Sequence, residues 1–436
     1  MKKFVFVLFS IGFSVGVRAQ VLTLEEAVAT ALKNNYNIQL ARLDSTIAAI
    51  DNSYAYAAFI PQVNGTLGRT WNNNSQKVEL QNGTKRESSG LKSNNLNAAL
   101  NLNWTIFDGL RMFALRDRLK ELTELGGLNV KSRIIDEVAS IITTYYNIVQ
   151  AKQQLKAVQE QMNINAERVK LADRKLAVGL GTKQELLQAQ IDLNAQKSQQ
   201  LNQQTAIEQL KQNLNALMAV DVKANYDVLD TIPINTTITL EEVINSATGS
   251  NPSLLIARKN IDIAKLLLKE ARADFFPTVQ FNSSYNFNRN NNNAVVNPAS
   301  PLFSQNRGFN YGLTATIPIL NNFNTRRMVK QARLNIQTQE TRLLNEQLQV
   351  DLGIYNAFKA YQFKKQELAL EESNIELAKE NVMIAFERYR LGVSTYLELR
   401  DAQQSLEAAY NRLIAARYNT KVAETELLRL KGDLVR

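Results

Sequence analysis

The sequence predicts a mixed α/β membrane protein. It reads as a tandem-duplicated protomer of long coiled-coil helices and four β-strands, which trimerises to close a twelve-stranded β-barrel. Three observations predict this. The chain aligns with itself. Each copy carries two runs whose hydrophobic period is two. Each copy also carries a helical run far longer than a globular core requires.

The duplication is explicit. "TLEEAVATALKNNYNIQLARLDSTIAAIDNSYAYAAFIPQV", from Thr23, aligns without a gap with "TLEEVINSATGSNPSLLIARKNIDIAKLLLKEARADFFPTV", from Thr239. Thr23 meets Thr239, Glu26 meets Glu242, Arg42 meets Arg258 and Pro61 meets Pro277. Further on, "GLGTKQELLQAQ" from Gly179 and "GVSTYLELRDAQ" from Gly392 share G-x-x-T-x-x-E-L-x-x-A-Q. The copies are assigned to residues 20–217 and 239–436, with 218–238 as linker.

Residues 1–19 read as a signal peptide. Lys2 and Lys3 precede the apolar run Phe4 to Val17, and Val17-Arg18-Ala19 suits cleavage before Gln20. That run is too short to cross a bilayer, and no later apolar run reaches the length of a transmembrane helix. The chain has no cysteine and no histidine. This excludes disulfides, thiolate chemistry, cysteine or histidine metal sites and histidine triads. No cofactor is expected. The formal net charge is +10. Lys and Arg alternate with Glu and Asp along the predicted helices, as on solvated faces, so nucleic acid is not an expected partner.

Within each copy the elements follow in order. Thr23 with Glu26 forms a capping box before the first helix. Glu25 and Glu26 also resemble an acid/base pair. The cap is the better reading, because Thr239 with Glu241 and Glu242 repeats it at another helix start. A second helix begins near Asn35, or at Asn251-Pro252 in the second copy, and proline ends it at Pro61 or Pro277. Strands then fall at about 62–71 and 95–107, and at about 278–289 and 309–319. Leu96, Ala98, Leu100, Leu102 and Trp104 alternate with Asn97, Ala99, Asn101 and Asn103. Val279, Phe281, Tyr285 and Phe287 alternate with Gln280, Asn282, Asn286 and Asn288. Polar stretches between the strands read as loops.

Such strands fit a soluble sandwich with one wet face, or a transmembrane barrel with lipid outside and water inside. Aromatic residues near strand ends (Trp104, Phe107, Phe309 and Tyr311) favour the barrel, since such rings settle at bilayer interfaces. An open four-stranded sheet leaves unpaired backbone in lipid, so the barrel reading requires an oligomer, and three protomers close it.

The runs Leu110 to Val178 and Phe323 to Leu391 contain no proline. A continuous helix of that length reaches roughly 100 Å. Ile148, Ala151, Leu155, Val158, Met162, Asn165, Val169, Ala172 and Leu176 follow a 3-4 spacing, and Leu368, Ile375, Val382 and Tyr389 recur every seven. A glycine break follows each run, then a returning helix, from about Lys183 or Tyr396. Each copy is therefore a helical hairpin, with its tip at 179–182 or 392–395.

At these residues the chain resembles the TolC-like outer membrane efflux protein family. The duplication carries the resemblance, with the proline before each first strand, "WTIFDG" from Trp104, and "YRLGVSTYLELRDAQ" with its copy "LAVGLGTKQELLQAQ". It spans essentially the whole mature chain. It implies a homotrimer whose outer membrane barrel continues as a periplasmic α-helical barrel. Such proteins are exit ducts rather than enzymes. They dock a periplasmic adaptor and an inner-membrane pump, which supplies the energy.

The resemblance also implies a mouth held shut by polar links and carboxylate rings. The carboxylates fall on Glu398 and Asp401 in copy two and Glu185 in copy one, and an aromatic link residue falls on Tyr389. Glu398 and Asp401 are three apart and share a helix face, which a threefold axis turns into two stacked rings. The alternative is an exposed acidic face with no gating role. Ser394 stands where better-known relatives carry an arginine, so Arg388 and Arg390 are the candidates for the missing link. Gly179, Gly181, Thr182, Gly392, Ser394 and Thr395 are the expected adaptor-docking tips. Gly179 and Gly392 also serve as ordinary C-caps, and Thr182 and Thr395 as N-caps of the returning helices. Two other readings stand beside the duct: a passive porin-like pore, and a periplasmic coiled-coil scaffold.

Overall fold

The computed structural model describes residues 21–81, 83–297 and 299–434. The signal-peptide assignment lies outside these residues. The chain forms two compact units, and each draws on both halves of the sequence. One comprises the segments up to Leu43, Leu128–Leu255 and Asn345–Arg436. The other comprises Asp44–Gly127 and Ile256–Leu344.

The second of these units contains a four-stranded antiparallel sheet. Its strands are β2 (Gln62–Glu79), β3 (Lys85–Asp108), β5 (Thr278–Asn292) and β6 (Phe303–Thr316), in the order β2-β3-β5-β6. The register sorts side chains by face, because period-two strands paired residue to residue keep like residues in line. Gly65, Leu100, Tyr285 and Phe309 form one line across the sheet, and Val63, Leu102, Ser283 and Tyr311 the next. The opposite face lines up Gly68, Asn97, Asn288 and Asn306, then Asn64, Asn101, Ser284 and Asn310. One face is apolar and aromatic, and the other is a ladder of amides. The apolar face is largely bare: Leu67, Tyr311 and Leu313 are 78%, 74% and 68% exposed.

Three boundaries differ from the sequence reading. The polar stretches assigned to loops continue the first hairpin, so β2 reaches Glu79 and β3 starts at Lys85. Ladder hydrogen bonds need no apolar side chain, and charge pairs support the extension. Lys77 meets Glu87 at 2.8 Å, and Lys85 lies 3.6 Å from Glu79. The last strand begins earlier and ends at Thr316, not at 319, because Pro318 offers no N–H to the ladder. The helices before Pro61 and Pro277 stop short of them. The first, α2 (Tyr36–Ser53), passes into a 3₁₀ turn at Ala55–Phe59, and α6 (Pro252–Ala273) ends four residues before Pro277. Proline forces its predecessor into extended backbone, so the chain must leave the helix earlier. Ile60 is already extended, with φ −102° and ψ 154°.

The first-named unit is helical. After the short strand β1 (Val21–Leu22), α1 (Leu24–Asn34) starts on the expected capping box, with Glu26 N–H on Thr23 at 3.2 Å and Thr23 N–H on Glu26 at 3.0 Å. The long helices α3 (Arg111–Ala177) and α7 (Asn324–Arg390) run on from the other unit. Their returning partners are α4 (Lys183–Met218) and α8 (Tyr396–Lys431). Ala31 of α1, Tyr145 and Ile148 of α3 and Leu214 of α4 share one core. Val243 and Ala247 of α5 (Leu240–Ser250) pack with Ile354 and Tyr361 of α7 and Leu427 of α8 in a second. The predicted seam residues Ile375 and Val382 face Ala402, Leu406, Ala409 and Leu413 in a third. The stretch assigned as linker is itself structured. Its strand β4 (Asp227–Val228) pairs in parallel with β1, and Tyr226 and Val228 are buried in the first core. No helix among the described residues is long and apolar enough to cross a membrane.

Candidate functional site at the hairpin turns

Both long helices end in the same device. Gly179 and Gly392 take φ +76° and +74°, the left-handed backbone that lets a helix stop and turn. Gly179 N–H bonds the Leu176 carbonyl at 3.1 Å, and Leu180 N–H reaches back to Lys175 at 2.8 Å. Gly392 and Val393 repeat the pattern on Tyr389 and Arg388. Gly181 is needed for space, since a Cβ there would lie 2.9 Å from the Lys175 Cβ. Thr182 and Thr395 then cap α4 and α8 by accepting the N–H of Glu185 at 3.2 Å and Glu398 at 3.3 Å.

The expected carboxylates sit in the first turns of these helices. Glu398 closes a capping box onto Thr395, and its second oxygen lies 3.9 Å from Arg388. Asp401 is exposed one turn further on. Glu185 is half-buried. Arg390 pairs with Glu387 at 2.6 Å. Arg388 and Arg390 thus engage their own hairpin, with more than half of each side chain in water. Ser394 buries its hydroxyl without a partner. Tyr389 is 3% exposed, and its hydroxyl also finds no partner. Burial, reinforced by the charge of Glu185, pushes its phenol above the ordinary value. Lys175 reaches it from α3: the ammonium lies 3.8 Å from the ring centre and donates to the Tyr389 carbonyl at 2.8 Å.

The principal polar assembly was not anticipated. Arg168 of α3 is 1% exposed, the bulkiest of the fully buried side chains. It forms an ion pair with Asp192 of α4 and donates to Gln403 of α8 at 2.7 Å. Its guanidinium lies 5.0 Å from the Tyr396 ring centre. Tyr396 donates to Asp192 at 2.8 Å, and Gln188 donates to the other oxygen at 2.9 Å. Burial alone would raise the Asp192 pKa. The Tyr396 and Gln188 donors and the Arg168 charge outweigh it, so the carboxyl lies below its ordinary value. Burial and the Asp192 contact push Tyr396 up to about 12. Beside the cluster lies a cavity of about 110 Å³, lined by Gln161, Arg168, Asp192, Gln196, Gln403 and Glu407 among others. Arg168 Nε, Gln161 Nε2 and Gln403 Nε2 find no protein partner there.

A signal for this assembly was present in the sequence. Gln161, Asn165 and Arg168 make a polar stripe at helical spacing beside the apolar seam, and Gln188, Asp192 and Gln196 make another. Among the described residues, no group of acidic side chains is placed to hold a metal ion.

The chain as a whole is similar to known proteins. The profile described as outer membrane efflux protein matches residues 27–220 and 243–433. The cation efflux system protein CusC of Escherichia coli K12 is 26% identical over 431 residues, covering 95% of this chain and 86% of that one. Protein CyaE of Bordetella pertussis is 24% identical over 425 residues, covering 95% and 85%. The CmeC outer membrane channel of Campylobacter jejuni superposes with a TM-score of 0.77 at 20% identity, over 94% of this chain and 85% of that one.

Proposed function

This chain belongs to the outer membrane efflux protein family, and from that premise we propose that it is the homotrimeric exit duct of a tripartite efflux or type I secretion machine. The family consists of Gram-negative outer membrane channels that extend into the periplasm, and not of enzymes. In our reading two tandem copies, 20–217 and 239–436 with 218–238 between them, each supply one hairpin and one strand pair. One observation carries the trimer: the sheet order β2-β3-β5-β6 leaves β2 and β6 as edges, under a bare apolar face. An open edge in lipid leaves backbone groups unpaired, so β6 of one copy pairs with β2 of the next. Three copies then place the apolar face against lipid and the amide ladder against a water-filled lumen.

The helical unit supports the same assembly. Phe363, Leu370, Leu377 and Ile384 recur every seven residues on α7 and are 51–67% exposed, a seam that awaits a neighbouring protomer. The turns favour an adaptor. Val178 and Leu180 on one, and Leu391, Val393 and Leu397 on the other, hold large apolar side chains in water, with Leu180 81% exposed. The turn residues Gly179, Gly181, Thr182, Gly392, Ser394 and Thr395 set the shape of that docking surface. Glu398, Asp401 and Glu185 make the mouth cation-favouring. A porin-like pore needs only short periplasmic turns, and a scaffold needs no bare apolar sheet. Extraction is the test. A trimer that leaves membranes only with detergent, and whose gene deletion abolishes export without altering passive uptake, supports the duct. A soluble monomer, or lost passive uptake, overturns it.

A further inference from the structure

The apolar face of the sheet ends in cations. Toward the hairpin turns, the line Leu67, Ala98, Phe287 and Arg307 brings the first of them. The next line, Arg69, Leu96, Arg289 and Gln305, brings two more, and Trp71 and Phe303 flank the line beyond. All three arginines are exposed. We propose that Arg69, Arg289 and Arg307 form a belt that binds the phosphate groups of a phosphorylated glycolipid in the outer leaflet of the membrane. This rests on the duct reading and names a lipid partner for its barrel.

Strand geometry sets their depth. β3 leads into α3 and β6 into α7, so in the duct reading those strand ends face the periplasm and the hairpin turns face outward. Arg289 lies ten residues beyond Val279, where the apolar face of β5 begins. At ~3.4 Å per residue and a tilt of about 40°, that is roughly 26 Å of height, close to the ~25 Å apolar band of such barrels. The arginines therefore stand at the outer interface, where a lipid-facing charge costs little, and not in the hydrocarbon. Trp71 and Phe303 fit that level, since aromatic rings settle at interfaces.

The sheet supplies no acid to balance them. β5 and β6 contain no Asp or Glu. The acids of β2 and β3 are engaged elsewhere: Glu79 with Lys85, Glu87 with Lys77, and Asp108 on the Met112 N–H. Arg289 and Arg307 are diagonal neighbours, ~7–8 Å apart at Cα. Arg69 and Arg289 stand two strands apart on one line, roughly 10 Å. Like charges at that spacing repel, and an anion set among them relieves the repulsion. A phosphate monoester suits the site, with a charge of about −1.5 to −2 and three acceptor oxygens for guanidinium forks. The phosphodiester of a glycerophospholipid carries a single charge. Arg69 is already positioned: its Nε donates to Asn94 at 2.9 Å and its guanidinium lies 5.0 Å from the Trp71 ring centre, while Arg289 lies 5.5 Å from that of Phe303. Beyond the arginines a shallow cleft of about 450 Å³ is lined by Trp71, Lys92, Asn94 and Asn291 among others. Its amides and indole suit sugar hydroxyls and sugar faces, which selects a glycolipid.

The test is native mass spectrometry of the full-length trimer in detergent, with melting followed alongside. The probes are lipid A phosphorylated on both sugars, the same lipid dephosphorylated, phosphatidylglycerol, and inorganic phosphate alone. The wild type should retain the phosphorylated lipid A many-fold better than either other lipid, and it alone should raise the melting midpoint. Arg69→Gln with Arg289→Gln and Arg307→Gln should lose most of that retention. The three corresponding changes to Lys keep the charge without the fork, and should lose less. Lys77→Gln, whose charge is paired with Glu87 on the hairpin extension, should bind as the wild type does. If the triple Gln variant does not assemble, Arg289→Gln and Arg307→Gln singly carry the test, each with a several-fold loss. Wild-type retention in those variants overturns the belt. So does equal retention of dephosphorylated lipid A or phosphatidylglycerol, or equal stabilisation by inorganic phosphate. If the wild-type protein is not an outer membrane trimer at all, the duct reading fails instead.

Discussion

Arg168 is 1% exposed and touches both α4 and α8, whereas Arg388 keeps over half its side chain in water and meets Glu398 on its own hairpin. Both are arginines close to a glycine turn. Proximity to the turn made Arg388 the candidate from sequence. Burial and reach make Arg168 the stronger element in the structure. A charge holds two hairpins together when it reaches from one to the other and when water does not screen it. The substitutions below press on that contrast, beginning where the effect should be largest.

Asp192→Ala leaves the Arg168 guanidinium buried without its counter-ion. Losing one partner of a buried pair typically costs about 3–5 kcal/mol. We expect the largest fall in melting midpoint of any single change near the turns, measured on the detergent-solubilised trimer. Asp192→Asn keeps the shape and the acceptor for Tyr396, and should recover part of the loss. If Asp192→Ala melts like the wild type, the cluster is not a buried pair in solution.

Acid and alkali test the same cluster without mutation. The folded pKa of Asp192 is depressed, so its contribution is present above its unfolded value of about 4 and is lost as pH falls through the folded value. Tyr396 has the opposite sign. Its folded pKa is raised to about 12, so its contribution is intact below an unfolded value of about 10 and disappears as pH rises from there to about 12. Melting followed against pH should show both edges. In Tyr396→Phe the alkaline edge should shrink, and an unchanged alkaline edge would place the titration elsewhere.

Much of the frame was legible because it is local. Thr23, Thr182, Thr239 and Thr395 all cap the helices that their sequence neighbours announce. Ile375 and Val382 lie on their predicted seam. The strands were underestimated where their residues are polar, since backbone pairing through Lys77 and Glu87 leaves no hydrophobic trace. The alternation of Lys and Arg with Glu and Asp along the helices reads as solvated faces, and Arg168 is an exception to it. Its burial depends on Asp192 and Gln403, 24 and 235 positions away, and the stripe of Gln161, Asn165 and Arg168 marks a polar face without naming the partners that bury it. The role of the linker was hidden for the same reason, because Tyr226 and Val228 find their core on helices distant in sequence.

The caps offer an intermediate effect that compares the turns themselves. Thr182→Ala and Thr395→Ala each remove one N-cap acceptor, worth about 1 kcal/mol. Thr395 also holds the capping box with Glu398, so its loss should be slightly the larger in the same melting assay. Equal losses would mean that the box adds nothing at an exposed turn.

Arg388→Ala is the smallest expected effect and the sharpest discriminator. Arg388 meets Glu398 at 3.9 Å with 56% and 53% of the two side chains exposed, so solvent and salt screen the pair. Glu398 remains held by Thr395 after the arginine is removed. Melting should stay at the wild-type value, and raising the salt concentration should change neither protein. Ion selectivity can still shift, because an uncompensated Glu398 adds negative charge where ions would pass. A stability loss comparable to that of Asp192→Ala would reverse the comparison, making the exposed pair at the second turn the stronger of the two.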